Sequence, residues 1–82
     1  MLAREEILSR LKTYLETMFE VSRENVTLDA RLFEDLDLDS IDAVDLIVEL
    51  QELTGRKFNP QEFKTVRTVG DLLDRVHDIV QA

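Results

Sequence analysis

The sequence predicts an all-α fold: a four-helix bundle with three longer helices, one short helix and a long loop between helices one and two. Three observations predict it. Apolar residues recur at helical spacing in three segments, residues 4–19, 40–54 and 69–80. Helix-start patterns open the last three helices, at Asp39-Ser40-Ile41-Asp42, Asn59-Pro60-Gln61-Glu62 and Thr68-Val69-Gly70-Asp71. The chain has 82 residues, 44% of them hydrophobic, which suits a single domain over 1–82 with one core. A chain of this size buries only about 60% of the surface its unfolded form exposes, so modest stability is expected.

The first helix is expected from about Arg4 to Phe19. Ile7, Leu11, Tyr14, Leu15 and Met18 form its apolar stripe, and Arg4, Glu5, Glu6, Arg10, Lys12 and Glu16 take the rest. Tyr14 is expected at the core edge with its hydroxyl in water. Residues 20–38 show no sustained period. A loop of that length in a small domain packs or has a function. Val26, Leu28, Leu32, Phe33 and Leu36 are expected to pin it across the helices, with one helical turn inside it.

The second helix is expected from Ser40 to Thr54, stopped by Gly55, with Arg56 and Lys57 just past its negative end. Asn59 caps the third helix, Pro60 takes its first position and Glu62 completes the box. Phe58 and Phe63 are placed as a hydrophobic staple, and the helix ends near Thr65. The fourth helix carries Val69, Leu72, Leu73, Val76, Ile79 and Val80 toward the core. His77, the one histidine, is expected on the surface, with no paired nucleophile to make it a catalytic base.

Charge narrows the function. Eighteen acids against ten Lys and Arg give a net charge of −8. That argues against nucleic acid and anionic lipid as partners and favours basic proteins met quickly and salt-sensitively. The chain has no cysteine, so disulfides and thiolate metal sites are excluded. No apolar run is long enough for a membrane span and no signal-peptide pattern stands at the N-terminus, so a cytoplasmic monomer is expected. Asp35, Asp37 and Asp39 alternate as in a calcium loop. Such a loop needs glycine at its sixth position and glutamate at its twelfth, where Ser40 and Leu46 stand. No dedicated metal site is expected, although the acids could attract divalent cations loosely.

The stretch from Asp35 to Leu46 carries the chemistry. Asp39 is a good N-cap, and Asp42 stands where a capping box puts an acid. Ser40 then falls on the first turn, pointing outward. The free N–H groups and dipole of a helix start favour a phosphate there. On this pattern alone Ser40 is either part of a plain cap or a serine that bears a phosphodiester. At about 100° per residue, Ala43, Leu46, Ile47, Leu50, Leu53 and Thr54 share the core side of the helix. Ile41, Val44 and Val48 share the opposite side, bordered by Asp45, Glu49 and Glu52. This second stripe is either covered by a neighbouring short helix or left open for partners.

Phe33-Glu34-Asp35-Leu36, Asp39-Ser40-Ile41-Asp42 and Val44-Asp45-Leu46 together resemble the acyl carrier proteins, over nearly the whole chain. The resemblance implies a four-helix acyl-carrier-like bundle that is not an enzyme. It implies 4′-phosphopantetheine on Ser40, with acyl groups held as thioesters on its thiol. A phosphopantetheinyl transferase would attach the group, and Asp39 would position Ser40 and help organise that enzyme's magnesium. Ile41, Val44, Asp45, Val48, Glu49 and Glu52 would dock acyl-transfer and ketosynthase-type enzymes with basic surfaces. Leu50, Phe58, Phe63 and Val66 would line an acyl cavity.

The sequence departs from the family at three places. Asp37 and Leu38 fill the space where a glycine often precedes the serine, Ile41 replaces leucine or methionine, and Phe63 replaces a smaller residue. Fatty-acid or polyketide and aryl-polyene-type biosynthesis is the expected setting. Asp42 and the acidic second helix favour it over a peptide-synthetase carrier. The alternatives are a D-alanyl carrier protein, or a small helical adaptor with no prosthetic group.

Overall fold

The computed structural model describes residues 3–58 and 60–81. Four α-helices follow in order: α1 (Arg4–Phe19), α2 (Ser40–Thr54), α3 (Pro60–Phe63) and α4 (Val69–Gln81), with a 3-10 turn at Arg23–Asn25 inside the long loop. The expected all-α architecture is therefore present, with α3 one turn long. Asn59 lies outside the described residues, and with it the cap and the box that Glu62 is expected to complete. None of the helices among the described residues is long and apolar enough to cross a membrane.

α1 buries Ile7, Leu11 and Leu15, chiefly against α4 and also against α2. Its start has no side-chain cap, but Glu5 and Glu6 oppose the positive end of its dipole. It stops at Glu20, whose left-handed backbone (φ 58°) turns the chain. The Glu20 N–H there donates to the Glu16 carbonyl at 3.1 Å. α2 stops the same way at Gly55 (φ 69°), whose N–H donates to Gln51 at 2.9 Å. Arg4, the first residue of α1, pairs with Asp74, midway along α4.

The core gathers these stripes with Leu46 and Leu50 of α2, Phe58, Phe63 and Val66 around α3, and Val69, Leu72, Leu73 and Val76 of α4. His77 is half-buried rather than fully on the surface. It lies one turn from both Leu73 and Val80, so it flanks the buried stripe. Tyr14 is half-buried at the core edge.

The long loop is pinned differently from expectation. Val26, Leu32 and Leu36 are buried as expected, and Ala30 and Leu38 join them. Leu28 and Phe33 are not: they remain 48% and 42% exposed. At Leu28 the backbone does the pinning. Its carbonyl accepts the Gly70 N–H at 2.9 Å, the Ala30 carbonyl accepts the Val69 N–H at 2.9 Å, and the Leu32 N–H donates to Arg67 at 2.9 Å. Arg31 and Thr68 form an isolated antiparallel bridge between these bonds. The loop thus satisfies two N–H groups of the first turn of α4, which a helix cannot satisfy internally. Thr68 and Asp71 complete that turn reciprocally, Asp71 N to Thr68 Oγ1 at 3.1 Å and Thr68 N to Asp71 Oδ2 at 3.2 Å.

Candidate functional site

The site is built at the start of α2. Leu36 and Leu38 are buried while Asp37 and Asp39 are exposed, so the approach alternates between core and solvent. Backbone bonds fix it: Leu36 N to Arg31 O at 3.1 Å and Leu38 N to Leu32 O at 3.2 Å. Asp37 has φ 56°, the left-handed region that glycine enters most easily and aspartate tolerates. This accounts physically for the sequence departure. Asp37 adopts the conformation that suits a glycine three residues before the serine.

Asp39 then caps α2. Its Oδ1 accepts the Asp42 N–H at 2.9 Å, and Asp42 Oδ2 accepts the Asp39 N–H at 3.2 Å. This reciprocal box fixes where the helix begins and leaves Ser40 exposed as its first residue. Asp35 is held elsewhere. The Arg31 guanidinium, and then the Arg31 backbone N–H, keep its carboxyl below the usual carboxylate range. With Asp35 engaged by Arg31 and Asp39 by the helix, the alternating acids do not converge on a common point.

Ser40 opens onto a groove of about 240 Å³ lined by Phe33, Ala43, Val44, Ile47, Phe63 and Lys64. Of the four expected cavity residues, Phe63 lines it. Leu50, Phe58 and Val66 are core residues off its wall. Ala43 and Ile47, expected only as core, also line it; their spacing could have shown this, since with Ser40 they fall at i, i+3 and i+7, one face of a helix. Lys64 had no such signal, because its place depends on how the turn after α3 lies against α2.

The second apolar stripe of α2 stays open. Ile41, Val44 and Val48 are 73%, 53% and 46% exposed. Asp45 and Glu52 beside them are exposed and Glu49 is half-buried. Tyr14 of α1 lies within the electrostatic reach of Glu49 and Glu52. Burial raises its phenol above the ordinary value, Arg10 opposes this, and the two acids add to the rise.

An exposed first-turn serine, with an apolar groove running from it, fits a covalently tethered arm whose far end carries apolar cargo. The comparisons with known proteins show the family. The family described as "Phosphopantetheine attachment site" matches residues 9–76. Acyl carrier protein 2 of Ralstonia nicotianae is 52% identical over 77 residues, covering 94% of this chain and 95% of that protein. The acyl carrier proteins of Coprothermobacter proteolyticus and Thermotoga maritima are 35% and 34% identical, each covering 87% or more of both chains. An adaptor with no prosthetic group does not fit this membership. The chain belongs to the acyl carrier protein family, whose members are carriers with a covalently attached 4′-phosphopantetheine and not catalysts.

Proposed function

We propose that Ser40 is the attachment point and that the chain carries acyl intermediates of fatty-acid or polyketide and aryl-polyene-type biosynthesis. The observation that carries this reading is the exposure of Ser40 on the first turn of α2, at the mouth of the groove. When bound, 4′-phosphopantetheine supplies a terminal thiol on which acyl groups travel as thioesters. The chain's own residues supply position and recognition. The Asp39–Asp42 box sets where the helix begins and so puts Ser40 on its first turn. The Asp39 carboxylate, on the residue before Ser40, helps a phosphopantetheinyl transferase place its magnesium. Ile41, Val44 and Val48 offer apolar contact area, and Asp45, Glu49 and Glu52 steer basic mouths of acyl-transfer and ketosynthase-type enzymes toward it. The acidic α2 and the names of the relatives, all acyl carrier proteins, support acyl cargo over D-alanine.

The test is direct. Incubation with coenzyme A and a broad-specificity transferase should add one phosphopantetheine to the intact protein, read by mass spectrometry. Ser40→Ala should gain nothing. No gain on the wild type, or modification at Ser9 or Ser22 instead, would refute the assignment.

A further inference from the structure

We propose that the groove beside Ser40 selects planar, conjugated acyl groups over saturated chains, and that Phe33 and Phe63 set that choice. This rests on Ser40 bearing the arm. The groove has two kinds of wall. Ala43, Val44 and Ile47 of α2 are aliphatic and would suit any apolar cargo. The phenyl groups come from two other elements, Phe33 from the long loop and Phe63 from the end of α3. The core makes little use of Phe33. Its neighbours Leu32, Leu36 and Leu38 are buried, while Phe33 keeps a large apolar side chain in water. A ligand laid against it would remove that exposed surface.

Aromatic rings distinguish ligands in a way aliphatic walls do not. Their charged faces and edges favour offset or edge-on contact with another π-system, beyond what burial alone provides. Stiffness acts in the same direction. A conjugated acyl group enters the groove with few rotors to freeze, whereas a saturated chain loses freedom at each bond. Size agrees as well. A cavity of about 150 Å³ suffices for benzene. The groove, at about 240 Å³, leaves room for an aryl ring and a short conjugated link to the thioester.

The experiment loads the apo protein at Ser40 from cinnamoyl- and nonanoyl-coenzyme A, which have equal carbon number. Cleavage of each thioester by hydroxylamine is then timed against the same thioester on free pantetheine, and methyl NMR shifts of Val44 and Ile47 are recorded. The cinnamoyl group should be protected about 3- to 10-fold more than the nonanoyl group, the factor expected of one good aromatic contact. Ring-current shifts should appear at both methyl-bearing residues. Phe33→Leu keeps apolar bulk at an exposed position and should remove most of the difference. Phe63→Leu, at a buried position, is the companion. Equal protection of both cargoes, or a ratio unchanged by both variants, overturns the proposal and leaves the carrier reading intact. Failure of Ser40 to accept either group overturns both.

Discussion

Replacing Asp39 separates the structural and chemical roles of the residue before Ser40, the proposed attachment point. Asp39→Ala removes the acceptor at 2.9 Å from the Asp42 N–H, while the backbone N–H of residue 39 can still donate to Asp42 Oδ2. Loss of an N-cap costs about 1 kcal/mol, within about 0.5–2. At about 2.1 cal/mol/K per residue, 82 residues give an unfolding entropy near 0.17 kcal/mol/K, so the midpoint should fall by about 6 °C. Removing an acid from a chain of net charge −8 also relieves repulsion and would mask part of the loss. Asp39→Asn is the control: it removes the same charge but caps about as well as aspartate. Circular-dichroism melts of the two variants side by side therefore isolate the cap. Equal melting temperatures would refute the argument that the box fixes the start of α2. Transferase rates divide the roles further. If the carboxylate helps place the transferase's magnesium, Asp39→Asn should be slow despite its intact cap.

Three further outcomes are expected. Asp45→Lys and Glu49→Lys should shift stability by under about 0.5 kcal/mol, yet slow Ser40 modification most at low salt. Glu5→Lys and Glu6→Lys, on α1, change charge equally and should slow it less; equal slowing would mean that only total charge matters. Acid should weaken the fold through Asp71. The N–H groups of Arg67 and then Thr68 hold its carboxyl below the usual range, so its contribution is complete above about pH 4 and lost as pH falls through its lower folded value. Urea melts between pH 5 and 3 should therefore show a shallower decline for Asp71→Asn than for the wild type, and parallel declines would refute this. Moderate salt or magnesium should raise the melting temperature by screening the acids; a flat trend would show that internal pairs such as Arg31 with Glu34 and Asp35 already neutralise them.

What could be read from the sequence follows from how local each signal is. The boundaries of α1 and α2 were legible because the apolar period, the Asp39 cap and the Gly55 stop are all encoded within one helix. The Ser40 position was legible for the same reason. The groove was only half legible. Ala43 and Ile47 share a helical face with Ser40, but Phe33 and Lys64 reach it through tertiary placement of segments without a period. Leu28 and Phe33 were expected in the core because apolar residues in a loop usually pin it. Here carbonyls pin the loop at Leu28 and Ala30, and carbonyl groups leave no mark in a side-chain pattern.

Those backbone bonds also bear on the order of folding. They join residues 28–32 to residues 67–70, nearly half the chain away, so forming them requires a large loop to close first. The helices rest on local contacts that form quickly, whereas this suture belongs to the late steps of assembly. Gly70 sits at its tightest point: a Cβ there would meet the Leu28 carbonyl oxygen at 3.0 Å. A side chain at that position would therefore act mainly on how fast the assembled bundle comes apart, and little on how fast it assembles. The kinetic lifetime of the folded carrier is thus set in part at a junction of backbone atoms.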